Sequence, residues 1–434
     1  MQLPANAPTN GWYNVLPEMP AAKKVRGTIR VPWAVVGAGL TGLSAARQLA
    51  THLPEQPIAL IEAERIGFGT SGRNAGFVLD LLFRLNGNSF DDTALERRHM
   101  RLCTGGLGTL KKLVQENQID CQWHEWGKLH VSAGAVGDAA LKGQQRGNDA
   151  LCVPYETLDR DEIEAITGSR FYRWGVKTQG TALVNPSAMC RGLGRTLPAN
   201  VTVYEESPVH RLEKGTPARL LTEEGEVVAD QVILCTNVFS PTLGVAKADM
   251  VAVVAYASLT RRMSDAECEQ IGGDSRGFGL LPGAWGGSTV RRTQDGRILM
   301  RNTAGYGPGA TADPAKLAQV RANHYESIAK RWPGLRGVEI EHTWGGVLGI
   351  TRNHGHVFGS IGSGLWASIA CNGASVARGT MAGALLADHI VGNTSDLLTD
   401  QMSLPRPSWL PPEPIRGLIG RHRIRRHLRD ISER

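Results

Sequence analysis

The chain has 434 residues, 52 of them glycine, and a formal net charge of +7. At roughly 100–200 residues per domain this length predicts two domains. No stretch approaches the roughly 18 uninterrupted apolar residues of a membrane span, the first twenty residues do not read as a signal peptide, and seven scattered cysteines without a C-x-x-C pair argue against a disulfide framework or a zinc site. Reduced thiols and a cytoplasmic location are the expectation.

In chain order, the opening to residue 30 is rich in Pro, Ala and Asn and predicts an extended arm. Residues 33–36 (WAVV) predict a buried strand, 40–50 a helix and 58–62 (IALIE) a second strand, which together form a β-α-β unit. A long helix is expected over 98–118, an alternating strand over 128–132, and a helix from Pro186. Strands follow at 201–204 and 226–234, where QVILC ends in the Thr236–Asn237 turn. Two more, at 250–261 and 297–302, flank a Gly-rich stretch over 272–287 that reads as loops. Residues 315–331 predict an amphipathic helix, 365–370 an apolar segment ending at Cys371, Asn372 and Gly373, and 376–391 a helix with several small residues. From residue 405 onward there are eight arginines and three acids, so this basic extension carries five of the seven net charges. Its plain reading is a solvated helix closing the fold. Contact with anionic lipid at a membrane surface, with RNA or with an acidic partner is the alternative, and nucleic acid is not expected because few aromatics interleave with the arginines.

The first chemical signal is Gly37-Ala38-Gly39-Leu40-Thr41-Gly42, placed between a strand and a helix. Gly37 permits the tight turn, Gly39 lets backbone approach a pyrophosphate, and Gly42 lets helix and strand pack closely. Glu62 ends the next strand, where a carboxylate accepts from ribose hydroxyls and repels a 2′-phosphate. Residues 67–76 (GFGTSGRNAG) then supply a second run of backbone donors, two hydroxyls, an arginine and an amide. A nicotinamide coenzyme needs no such second clamp, so the pattern favours FAD.

Three segments, GAGLTG, IEAERIGFGTSGRNAG and ACNGASVARGTMAGALLADHIVG, resemble the D-amino-acid oxidase and glycine oxidase family of flavoproteins. The resemblance implies an α/β chain with a Rossmann-like FAD-binding domain of the glutathione reductase type. A second domain, an antiparallel β-sheet plus helices, would cover the flavin. By position, 1–82, 178–247 and 342–393 would build the FAD domain, 83–177 and 248–341 the substrate domain, and 394–434 the basic extension. Carried over residue by residue, Gly37, Ala38, Gly39, Leu40, Thr41 and Gly42 would hold the pyrophosphate, and Glu62 with Ala63 the adenosine ribose. Arg65, Gly69, Thr70, Ser71, Arg73, Asn74, Ala75 and Gly76 would line the path to the isoalloxazine, and Val209 would meet the adenine. Thr236 and Asn237 would border the cofactor, and Gly373, Ala374, Ser375 and Val376 would face the flavin N1–C2=O edge. Some relatives attach flavin through a cysteine in a segment corresponding to 344–351. None stands there, so non-covalent FAD is expected. Relatives that assist oxygen with a lysine near N5 have no evident counterpart, since the lysines after Lys247 are Lys316 and Lys330.

The implied reaction takes a hydride from an amine or amino-acid carbon to flavin N5, and the resulting imine is hydrolysed. A neutral amine suits an apolar wall, for which Phe77, Trp285, Trp344 and Trp366 are candidates. A substrate carboxylate calls for an arginine fork, with Arg291, Arg301 and Arg352 as candidates. Arg301 leads, because Leu299, Arg301 and Thr303 should share a strand face. The catalytic set is therefore Arg301, Trp344 and Arg352, with His342 and His354 weaker. Polyamine derivatives, N-methyl amino acids, cyclic imino acids and D-amino acids all fit, with oxygen or a quinone as acceptor. An NAD-dependent dehydrogenase and a non-catalytic flavoprotein remain the alternatives.

Overall fold

The computed structural model describes residues 9–81, 92–370, 372–373 and 376–429. The strand Gly27–Val36 forms the axis of the first sheet because its last three residues, Ala34, Val35 and Val36, are buried on both faces. It pairs in parallel with Ile58–Ile61 on one side and Gly225–Leu234 on the other. Val201–Tyr204 extends the sheet beyond Ile58–Ile61, and Leu365–Ile369 extends it beyond Gly225–Leu234, again in parallel. The antiparallel strand Val357–Gly362 closes the edge, and the hairpin Arg211–Glu213 with Ala218–Leu221 folds onto Gly225–Leu234.

Helix Ala377–Ile390 packs between helices Leu40–His52 and Thr93–Glu116. Its small residues set the spacing. A Cβ at Gly383 would lie 2.1 Å from Thr41 O, and one at Gly106 only 1.9 Å from Ala377 O, so larger side chains would push the helices apart. The helix Thr93–Glu116, expected in the substrate domain, is thus braced against the first sheet's helices.

The second sheet has eight strands in the order Ile340–Ile350, Val251–Thr260, Ile298–Tyr306, Thr289–Arg292, Phe278–Pro282, Lys128–Ser132, Trp174–Thr178 and Glu156–Asp159. Its pairs are antiparallel except Phe278–Pro282 with Lys128–Ser132, which run parallel. Two expectations change here. The stretch 272–287 contains a strand, because Phe278 and Leu280 are fully buried among Leu129, Val290 and Met300. The stretch from His342, expected to rejoin the first sheet's part, instead belongs to strand Ile340–Ile350, which pairs along its length with Val251–Thr260 in the second sheet. The expected boundary at 82–83 lies outside the described residues.

The opening is not wholly extended. Asn10 caps a short helix, Gly11–Asn14, and Trp12 is buried against Trp344 and Leu299. Its indole N–H donates to Asn74 O at 2.8 Å, pinning the arm to the second glycine segment.

Candidate active site

The turn after Gly27–Val36 forms the first wall. Gly37 takes φ +97°, a region in which glycine is favoured, and a Cβ there would stand 2.9 Å from the Cys235 carbonyl oxygen. Gly37 N–H donates to Ile61 O at 2.7 Å. Ala38 N–H donates to Glu62 Oε2 at 2.8 Å, and Glu64 N–H to Glu62 Oε1 at 3.1 Å. Burial pushes the Glu62 carboxyl up to about 7, against those two bonds, which favour its anion.

Gly39 starts helix Leu40–His52 and Val376 starts helix Ala377–Ile390, both without a side-chain cap. Such open N-termini present N–H donors and the positive end of a helix dipole to an anion. Ser71 Oγ accepts from Leu40 N–H at 3.1 Å, which brings the second glycine segment onto the turn. A Cβ on Gly39 would lie 2.8 Å from that hydroxyl. Asn74 fixes the segment's end, donating to Ser71 O at 2.6 Å and accepting from Gly76 N–H at 2.8 Å.

Between the two sheets lies a cavity of about 1130 Å³, just above the roughly 300–1,000 Å³ of ordinary small-molecule sites. Gly37, Ala38, Gly39, Leu40, Thr41, Glu62, Ala63, Arg65, Gly69, Thr70, Ser71, Arg73, Asn74, Ala75, Val209, Thr236, Asn237, Gly373 and Val376 all line it. Gly42 and Gly76 stand behind the wall, where a Cβ would lie 1.8 Å from Gly37 O and 2.0 Å from Arg291 Nη1. Ala374 and Ser375 lie outside the described residues.

The family model described as FAD dependent oxidoreductase, the DAO model, matches residues 32–389. This chain belongs to the DAO family of FAD-dependent oxidoreductases. It is 27% identical over 380 residues to the gamma-glutamylputrescine oxidoreductase of Escherichia coli K12, covering 83% of each chain. Its fold is similar to the glycine oxidase of Geobacillus kaustophilus (TM-score 0.70, 16% identity, 85% of this chain and 96% of that one). It is also similar to the iminodiacetate oxidase of Chelativorans sp. BNC1 (TM-score 0.68, 18% identity, 87% of this chain and 100% of that one). The family membership sets aside the nicotinamide reading.

The residues of this DAO-family chain fit a flavin dinucleotide, with two open helix N-termini, a glycine turn and a partly buried carboxylate on one cavity. Two arginines of the cofactor set are braces rather than free cations. Arg73 donates to Phe68 O at 2.8 Å and to Thr9 O and Gly345 O at 2.9 Å, and burial lowers it to about 10. Arg65 pairs with Glu205 at 3.1 Å and Glu206 at 3.5 Å, beside the Ser207–Val209 wall rather than toward the second sheet.

The substrate candidates also separate. Arg301 lines the cavity and donates to Thr289 Oγ1 at 2.6 Å across the strand pair. Burial lowers it to about 10, so it stays a cation at neutral pH. The expected face of Leu299, Arg301 and Thr303 is broken by a bulge between the Tyr256–Thr303 and Ala257–Arg301 pairs. The alternation resets, and Ala304 rather than Thr303 lines the cavity with Arg301. Arg352 is exposed and lines the cavity. Arg291 does not line it, because it is buried and donates to Gly76 O at 3.0 Å and Val184 O at 2.6 Å.

Trp344, expected in the catalytic set, is a core residue. It is 0% exposed, packs with Trp12 and donates to Arg73 O at 3.1 Å. It packs beneath the second glycine segment and does not line the cavity. Trp366 bonds Gln231 at 2.9 Å and His342 also stays out of the lining, whereas Phe77, Trp285 and His354 are in it.

Sequence reasoning missed Glu96, His99, His130 and Arg378, all buried and all lining the cavity. Glu96 and His99 lie one turn apart on the buried face of Thr93–Glu116, a spacing that could have flagged them. His130 takes a 2.9 Å bond from Gln144, and burial pushes it down to about 3, so it is neutral. The basic extension is no detached tail, since Arg416, Ile419, Gly420, Arg423 and Ile424 also line the cavity.

Proposed function

We propose that this oxidoreductase oxidises the C–N bond of an amine or amino acid that carries a carboxylate, with FAD held non-covalently. The observation that supports this most is Arg301, a partly buried cation that lines the cavity with Thr289 as its hydrogen-bond partner. FAD, when bound, supplies the hydride acceptor. Backbone donors of the Gly37–Gly42 turn hold the diphosphate, and Glu62 holds the adenosine ribose. Arg301 orients the substrate carboxylate through charge-assisted bonds. Phe77, Trp285 and Leu281 exclude water and penalise an ammonium, so the amine is held neutral. Neutral His130 adds no charge to that wall. The relative named for gamma-glutamylputrescine supports a substrate that joins an amine to an amino-acid carboxylate.

Arg301→Ala tests the assignment. It should raise the concentration needed for half-maximal flavin reduction by carboxylate-bearing amines about tenfold to a hundredfold, for a charged hydrogen bond of about 1.5–3 kcal/mol. Simple amines should be little affected, and equal loss for both classes would remove the role.

A second reading concerns the acceptor. Among the described residues no lysine lines the cavity, and Lys316 and Lys330 are exposed. That favours a quinone over oxygen. Slow reoxidation in air with fast reoxidation by a soluble quinone supports it, and fast reaction with air opposes it.

A further inference from the structure

Six large apolar side chains are conspicuously exposed among the described residues, and five of them fall between 402 and 419. They are Met402 (56%), Trp409 (66%), Ile415 (52%), Leu418 (65%) and Ile419 (46%). The helix Ile415–Arg429 that carries three of them has six arginines and no acidic residue. Its orientation is fixed from one side. Gly417 and Gly420 pack against the Tyr306 ring, Arg421 lies over that ring at 5.6 Å, and Gly417 N–H donates to Glu413, which also accepts from the Tyr306 hydroxyl. Leu410 N–H donates to Ala248 O at 2.8 Å, and Arg416 to Lys247 O at 3.0 Å, so the segment leading in is anchored as well.

At about 100° per residue, the face opposite Gly417 and Gly420 carries Ile415, Leu418, His422, Arg425 and Arg426. It is apolar at its start and basic at its end, with Trp409 exposed just before it. This is the composition of an interfacial helix, in which apolar side chains enter the acyl boundary and arginines meet anionic headgroups. A nucleic acid would take aromatic side chains interleaved with the cations, and the exposed aromatic here precedes the outward-facing Arg425 and Arg426 by sixteen residues or more.

We propose that Trp409 and the outward face of helix Ile415–Arg429 form a docking surface for an anionic lipid bilayer. The adjacent face of the same helix, through Ile419 and Arg423, lines the cavity. A docked molecule therefore presents its cavity mouth to the lipid. This goes beyond the proposed reaction, because it concerns where the enzyme works and would stand whatever amine is oxidised.

Co-sedimentation of the holoenzyme with vesicles tests it. Wild type should pellet with phosphatidylcholine vesicles containing about one-quarter phosphatidylglycerol, weakly with pure phosphatidylcholine, and less as salt rises. Arg425→Ser with Arg426→Ser should weaken partitioning about 30-fold, at about fivefold per arginine. Leu418→Ser should weaken it about tenfold through lost apolar insertion. None of the three side chains lines the cavity, so flavin content and reduction by substrate should stay at wild-type levels, which shows that the variants are folded. Failure of wild type to pellet with the anionic vesicles overturns the proposal. So does equal binding by the variants, or tight binding to a polynucleotide in place of the vesicles.

Discussion

The Glu62 carboxylate gives the sharpest test of the cofactor end. It is partly buried, and its two backbone bonds do not offset the lost hydration, so its pKa rises to about 7. A ribose hydroxyl donating to it favours the anion, so cofactor binding should draw the pKa down and release a proton. With a free-protein pKa of about 7, FAD should bind about tenfold more tightly at pH 8 than at pH 6. The stability sign is opposite. A carboxyl whose folded pKa is raised stabilises the protein below the unfolded value of 4.5 and loses that contribution as pH rises through about 7. The loss is at most about 3 kcal/mol for a shift of about 2.5 units. Glu62→Gln removes both effects. Quenching of FAD fluorescence on titration into apoprotein measures the first, and denaturant unfolding of apoprotein at pH 5 and 8 the second. A wild-type affinity that does not change between pH 6 and 8, or a glutamine variant with the same pH slope, would refute the reasoning.

Other substitutions probe other parts of the account. Gly39→Val should abolish FAD retention, because even its Cβ would stand 2.8 Å from Ser71 Oγ, at the turn proposed to hold the diphosphate. The flavin absorbance of the purified variant reads this directly. Trp344→Ala should cost about 3–5 kcal/mol in denaturant unfolding, and in the fraction that stays folded the substrate dependence of flavin reduction should match wild type. A selective loss of carboxylate-bearing substrates would restore Trp344 to the substrate site. Arg291→Ala removes the buried donor to Val184 O and leaves Gly76 O with only the Val184 N–H, and should cost about 1–3 kcal/mol. A midpoint unchanged in urea would contradict its role as a brace.

The cavity wall built by the glycine turns was legible because its residues are local in sequence. Gly37, Gly39 and Glu62 lie within one β-α-β unit, and the spacing that makes the turn also makes the site. The substrate half was not. Arg291, Arg301 and Trp344 all sit on strands of one sheet, and which of them reaches the cavity depends on register. The bulge between Tyr256 and Ala257 turns Thr303 away and brings Ala304 in, and nothing in RILMRN announces it. Glu96 and His99 come from a helix assigned by position to the other domain, so their approach to the cavity follows from helix packing through Gly106 rather than from their own neighbours in sequence. The basic extension was read as a solvated helix closing the fold, and the helix is there, but nothing in its charge pattern placed it against the cavity. Its place at the cavity mouth rests on two glycines fitting one tyrosine, a contact between residues more than a hundred positions apart.

Anaerobic mixing of the holoenzyme with a panel of amines, D-amino acids, N-methyl amino acids and gamma-glutamylated diamines, followed through the visible flavin band, tests the central claim most directly. At least one carboxylate-bearing amine should bleach the flavin within turnover times and do so faster than its analogue lacking the carboxylate. A flavin that a chemical reductant bleaches while every amine in the panel leaves it oxidised would contradict the account.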